Sequence, residues 1–146
     1  MTAALIGGAI TGALLGGAEW LAAREAFGEP VQWVAASSVG YGLGLALGAA
    51  VGYGTGLGHL VAMGAISGVV LGSAQGIVLA SQGSSRFALA WGSATPILLA
   101  LGWTTTTLLG IDVDRQFTIF GAFGAVVFTV LSGLLLARIS EPAPAN

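Results

Sequence analysis

The chain has 146 residues, 55% of them hydrophobic and 7% charged, with 25 glycines, four arginines, six acids and no cysteine. Soluble domains carry about 25% charged residues, so this composition excludes a water-soluble globule and a disordered tail, and the lack of a basic stripe excludes a nucleic-acid binder. The net charge of −2 identifies no partner, and without cysteine there is neither a disulfide nor thiolate chemistry.

The charges cluster. Glu19, Arg24, Glu25 and Glu29 come first, and no formal charge follows until Arg86; Asp112, Asp114 and Arg115 form the next group, and Arg138 and Glu141 the last. A hydrocarbon core of about 30 Å takes about 20 apolar helical residues. The gaps therefore predict five spans, at 3–23, 31–53, 57–81, 87–110 and 116–137, with a break at Gly52-Tyr53-Gly54-Thr55-Gly56. Runs such as Leu98-Leu99-Ala100-Leu101 lack the alternation of a membrane strand, so the spans are helices. Met1-Thr2 leads directly into apolar sequence without a basic n-region, so the first span reads as a retained helix rather than a signal. Residues 140–146 read as a short Pro/Ala tail after a single transmembrane domain, 1–139.

The first span contains a segment that returns. Gly8-Ala9-Ile10-Thr11-Gly12-Ala13-Leu14-Leu15-Gly16-Gly17-Ala18-Glu19 aligns with Gly64-Ala65-Ile66-Ser67-Gly68-Val69-Val70-Leu71-Gly72-Ser73-Ala74-Gln75, identical at seven of twelve positions. Gly121-Ala122-Phe123-Gly124-Ala125 begins a more decayed third copy in which Ser132 takes the place of Glu19 and Gln75. Spans two and four match poorly, joined mainly by Trp33 and Phe87. The expected fold is an all-α integral membrane protein, five transmembrane helices in an A-B-A-B-A tandem-repeat bundle packed through glycine ladders. Repeats separated by an even number of crossings run parallel, unlike the inverted repeats of many transporters. Arg24, Arg86 and Arg138 lie at one end of the bundle and Arg115 at the other, which puts the C-terminus in the cytoplasm and the N-terminus outside. Trp20 and Trp33 would belt the arginine end and Tyr53 the other.

Within lipid no hydrophobic force drives helix against helix, so small residues that admit close backbone approach mark the contact faces. Gly8, Gly12 and Gly16 form one such face; Gly40, Gly44, Gly48 and Gly52 a second; Gly64, Gly68 and Gly72 a third; and Gly121, with Ala125, a fourth. Pro96 lies within span four, where it removes the hydrogen bond to the Gly92 carbonyl, and Ser93 and Thr95 are near enough to compensate.

Few residues carry chemistry. Glu19 is the one acid within a span, placed to hydrogen bond, to reach headgroups, to pair with Arg24, or to serve a proton or ion path with Gln75. His59 is the sole histidine and could ligate a haem or chlorophyll-type metal, although one histidine gives one axial ligand. Thr104-Thr105-Thr106-Thr107 could line a polar path, but threonine hydroxyls bond readily to the preceding turn. Asp112, Asp114 and Arg115 read as a solvated turn. No catalytic grouping, metal site or cofactor is expected.

The helix ending Gly17-Ala18-Glu19-Trp20, or Ser73-Ala74-Gln75-Gly76, resembles a loose group of small multi-pass bacterial membrane proteins with repeated Gly-rich helix pairs and an Ala-Gln-Trp element. Glu19-Trp20 keeps one part of that element and Gln75 the other. The resemblance implies a location, a bacterial inner membrane, and no activity. The expected function is a non-catalytic membrane subunit that packs through its glycine faces against other transmembrane proteins or itself in the lipid bilayer; the alternatives are a small channel or transporter, and a pigment- or haem-associated subunit.

Overall fold

A computed structural model describes residues 1–52 and 54–139. The Tyr53 and 140–146 assignments lie outside the described residues. The elements are α1 (Thr2–Ala22), α2 (Arg24–Phe27), α3 (Pro30–Val51), α4 (Leu57–Ser81), α5 (Ser85–Leu108) and α6 (Phe117–Ile139), with no strand among the described residues. Five of the six are long and apolar enough to cross a bilayer. Apolar side chains face outward all along them: Leu14 is 72% exposed and Leu89 75%. In water that surface would be costly, whereas lipid tails solvate it.

The ends follow local chemistry. α1 stops at Ala23, whose backbone leaves the helical region at φ −143°, and the chain makes one further turn of helix, α2, that the charge clustering did not predict. Gly28 then takes φ 65° and Pro30 opens α3 at its first turn, where a missing N–H costs nothing. Gly83, at φ 85°, turns α4 into α5. Between α5 and α6 the Asp112 carboxylate accepts from the backbone N–H groups of Asp114 (2.8 Å) and Arg115 (3.2 Å), and all three side chains are exposed, a solvated turn.

Each long helix packs on the next in sequence: α1 on α3, α3 on α4, α4 on α5, and α5 on α6. A Cβ at Gly8 would come within 2.8 Å of Gly42 Cα, and one at Gly12 would meet the Ser37 carbonyl. One at Gly16 would meet the Ser37 side chain at 2.5 Å. On the far side of α3, a Cβ at Gly40 would lie 3.0 Å from Leu71 Cα, and one at Gly44 would lie 2.7 Å from Ser67 Cα. Gly48 is roomier, 3.5 Å from Met63 Cγ. Between α4 and α5, a Cβ at Gly64 would lie 3.1 Å from Ala100 Cα, one at Gly68 would strike the Pro96 backbone, and one at Gly72 would lie 2.8 Å from the Gly92 carbonyl. Gly52 and Gly121 have nothing within 4 Å of that position.

The expected compensation at Pro96 is not found among the described residues, since neither hydroxyl donates to the Gly92 carbonyl. Ser93 Oγ donates to the carbonyls of Leu89 and Ala90, and Thr95 Oγ1 to that of Trp91. The Gly92 carbonyl is left facing Gly72, at the close approach of α4 to α5.

Candidate functional site

Glu19, Gln75, Trp33, Trp91 and Ser37 converge inside the bundle. Glu19 is 5% exposed and the other four are buried. Glu19 Oε2 accepts from Trp33 Nε1 at 3.2 Å and from Gln75 Nε2 at 3.0 Å. The same Gln75 nitrogen donates to Ser37 Oγ at 2.9 Å, and Ser37 in turn donates to the Trp33 carbonyl at 2.8 Å. Gln75 Oε1 accepts from Trp91 Nε1 at 2.8 Å. An amide offers two N–H donors and one carbonyl oxygen. A flipped amide would set its NH₂ against the indole N–H, so the network fixes its orientation. Four helices, α1, α3, α4 and α5, are tied through one glutamine.

Aromatic rings close the network from the arginine end. Phe27, brought inward by α2, stacks on Trp33 at 4.0 Å between centroids and meets Trp91 edge-on at 5.1 Å; the two indoles lie 5.9 Å apart. Leu79 and Ala88 complete this cluster. Trp33 is therefore a buried core residue, not part of an interfacial belt, and Glu19 bonds to neutral donors on other helices rather than to its neighbour Arg24. The Arg24 guanidinium lies 5.8 Å over the Trp20 ring, and Trp20 Nε1 donates to the Gly28 carbonyl. Among the described residues two buried side-chain oxygens have no hydrogen-bond partner, Glu19 Oε1 and Ser67 Oγ.

The other candidates lie elsewhere. His59 is exposed at the start of α4, where its ring fills the space beside Gly54. It stands 16 residues from Gln75 on the same helix, about 24 Å at 1.5 Å per residue. Thr104, Thr106 and Thr107 each donate to the carbonyl four residues back. Among the described residues no three His, Asp or Glu gather as metal ligands would.

The sequence singled out Glu19 and Gln75 but not their partners. Trp33 and Trp91 are each followed four residues later by a hydroxyl, Ser37 and Thr95, which donates to the tryptophan carbonyl in both cases. That Trp-x-x-x-Ser/Thr pattern was the available signal; it aligns Trp33 with Trp91, where the aromatic match had used Phe87. Phe27 carried no signal.

A second feature is a groove of about 920 Å³ running between α1 and α6, floored by α3, α4 and α5 side chains such as Leu45, Met63 and Leu99. Its lining is almost wholly apolar.

The class these observations define is a helical, multi-pass membrane protein. Compared with known proteins, the chain matches no family model, no curated relative and no solved structure. The resemblance to small bacterial membrane proteins therefore rests on the residues quoted for it.

Proposed function

We propose that the protein is a non-catalytic membrane subunit, built from two copies of a helix pair (α1 with α3, α4 with α5) and the first helix of a third, α6, that packs against other transmembrane proteins. The observation that carries the reading is the equivalence of contacts across the copies. Gly8, Gly12 and Gly16 abut residues at 41–42 and 37; Gly64, Gly68 and Gly72, 56 residues on, abut residues at 99–100, 95–96 and 92. Trp33 serves Glu19 as Trp91 serves Gln75. Leu15, Leu71 and Phe128, which occupy one position of the three copies, meet in a single core cluster. Ser132, the third counterpart of Glu19, is buried as well.

This design uses its polar residues to hold helices in register. The Glu19 and Gln75 network bonds helix to helix, and the Thr104, Thr106 and Thr107 hydroxyls are committed to their own backbone, which favours a packing role over a conducting one. The glycine faces of α1, α3 and α4 are engaged within the bundle, leaving α1 and α6 along the groove as the faces available to a neighbour.

Purification in mild detergent tests the reading. Other transmembrane proteins are expected to co-purify in fixed ratio, and liposomes bearing the protein are expected to show no solute or ion flux above protein-free vesicles. A specific flux abolished by Glu19→Gln would overturn it in favour of a channel.

A further inference from the structure

The geometry points to the groove between α1 and α6 as the seat of one transmembrane helix of a partner protein, running antiparallel to both and carrying small residues on two faces. This inference rests on the repeat reading above and goes further, because the repeat specifies what belongs in the gap.

In each complete pair, the second helix lies between two first helices. α3 lies between α1 and α4, and α5 between α4 and α6. No comparable packing joins α6 back to α1. The two faces bordering the gap are the ones a third such helix would cover. On α1 the groove is lined by Gly7, Thr11, Leu14 and Ala18. Their counterparts 56 residues on are Met63, Ser67, Val70 and Ala74, the residues of α4 that lie against the Gly40, Gly44 and Gly48 face of α3. On α6 the groove is lined by Gly121, Ala125 and Thr129. These are the counterparts of Gly64, Gly68 and Gly72, which lie against α5. A Cβ at Gly64 would meet backbone, whereas one at Gly121 would meet nothing within 4 Å. The same position is filled in one copy and open in the other.

The repeat also gives a counterpart for the buried polar atom without a partner, although Glu19 is not itself among the residues that line the groove. Gln75 Nε2 reaches back to Ser37 on the helix preceding its own. The corresponding atom of Glu19 is Oε1, and the helix that would precede α1 around the bundle is the absent one. Glu19 Oε1 is buried and unbonded among the described residues. By the repeat, an incoming helix would carry a hydroxyl at the Ser37 or Thr95 register. A tryptophan one turn earlier would bring its indole N–H to the level of Ser132, as Trp33 and Trp91 do for Glu19 and Gln75. The occupant is thus an apolar helix with Trp-x-x-x-Ser/Thr near its N-terminal end and glycine or alanine at every fourth position. A second copy of this chain is a poorer fit, since its own α3 and α5 already have both faces packed.

The probe is a synthetic peptide of residues 30–51, the α3 sequence, presented to the full chain in phospholipid nanodiscs. Because the protein has no cysteine, Ala3→Cys provides a single dye position on the lining of the groove near the start of α1. A quencher on the C-terminal end of the peptide should extinguish the dye saturably, and one on the N-terminal end should act much more weakly. A composition-matched scrambled peptide should bind at least tenfold less tightly. The double variant Gly121→Leu, Ala122→Leu, at two exposed positions that line the groove, should weaken binding at least tenfold while keeping the wild-type tryptophan emission and melting temperature. Absent binding, equal binding of the scrambled peptide, the reverse polarity, or unchanged binding to the double variant would each refute the seat. So would a photoactivatable phosphatidylcholine that labels the groove and is not displaced by the peptide. Co-purification of other membrane proteins that survives the double variant would refute the groove while leaving the subunit reading intact, whereas loss of all co-purifying proteins from the unmodified chain would refute that reading alone.

Discussion

Gln75 Nε2 lies 3.0 Å from Glu19 Oε2, joining α4 to α1 through two residues 56 positions apart. Both stand at the same place of two Gly-rich segments that are identical at seven of twelve positions. The side chains differ in the way that contact requires: a second carboxylate would repel the first, whereas an amide supplies the donor.

Gln75→Leu is expected to be among the most damaging single changes. It leaves the Trp91 indole N–H without its acceptor and removes one of two donors from Glu19 Oε2. Stranding a buried polar group costs about 1–3 kcal/mol, so thermal unfolding in mild detergent should shift clearly downward. Glu19→Gln keeps an acceptor oxygen for both donors and should shift it much less. Equal losses from the two would show that the network does not govern stability.

The glycines along one face of α3 should part company. At Gly44 a Cβ would lie 2.7 Å from Ser67 Cα, so Gly44→Ala forces α3 and α4 apart and should destabilise. At Gly48 the nearest atom would be 3.5 Å away, ordinary contact distance. Gly48→Ala should therefore be neutral or stabilising by up to about 1 kcal/mol, the helix-propensity difference between the two residues. Comparing the two melting temperatures checks this. Larger residues at Gly44 would damage the bundle itself before they could report on any external partner.

Most span ends were legible because charge is costly in hydrocarbon, and the break between α3 and α4, which no charge marks, was legible from the glycines at 52, 54 and 56. Together these signals place the helices to within about two residues of their ends. The likeness of Gly8–Glu19 to Gly64–Gln75 is a feature of the sequence alone. What escaped notice was long-range pairing. Arg24 looked like the partner of Glu19 because it is near in sequence, but Arg24 lies beyond the bend at Ala23, and the partners come from α3 and α4. The α2 turn was hidden for a related reason: its charged residues marked it as a loop, and the one side chain that matters there, Phe27, is a lone aromatic among polar neighbours. Alignment of the second helices needed a functional pair, tryptophan with a hydroxyl four residues on, rather than an aromatic at the same distance from the span start.

Phe27→Ala tests whether that turn is more than a connector. The ring is wholly buried between Trp33 and Trp91. Removing a buried phenylalanine costs about 3–5 kcal/mol, and here it would also open the arginine end toward Glu19. The expected outcome is a lower melting temperature together with altered tryptophan emission. A change confined to emission would mean that the cluster is ornamental to stability.

The two buried tryptophans should differ in what their loss costs, although each packs against the same phenylalanine. Trp33 donates to Glu19 Oε2, which keeps a second donor in Gln75 when the indole is removed. Among the described residues Trp91 is the sole donor to Gln75 Oε1. Trp91→Phe should therefore destabilise more than Trp33→Phe, by about 1 kcal/mol, the worth of one buried hydrogen bond. Combining Trp91→Phe with Gln75→Leu isolates that bond, because the double variant no longer contains an acceptor waiting for the missing donor. Its loss should fall short of the sum of the single losses by about 1 kcal/mol, since contacting pairs couple on that scale. Strict additivity would mean that the indole contributes by packing alone, and the hydrogen-bonded tie between α4 and α5 would have to be abandoned.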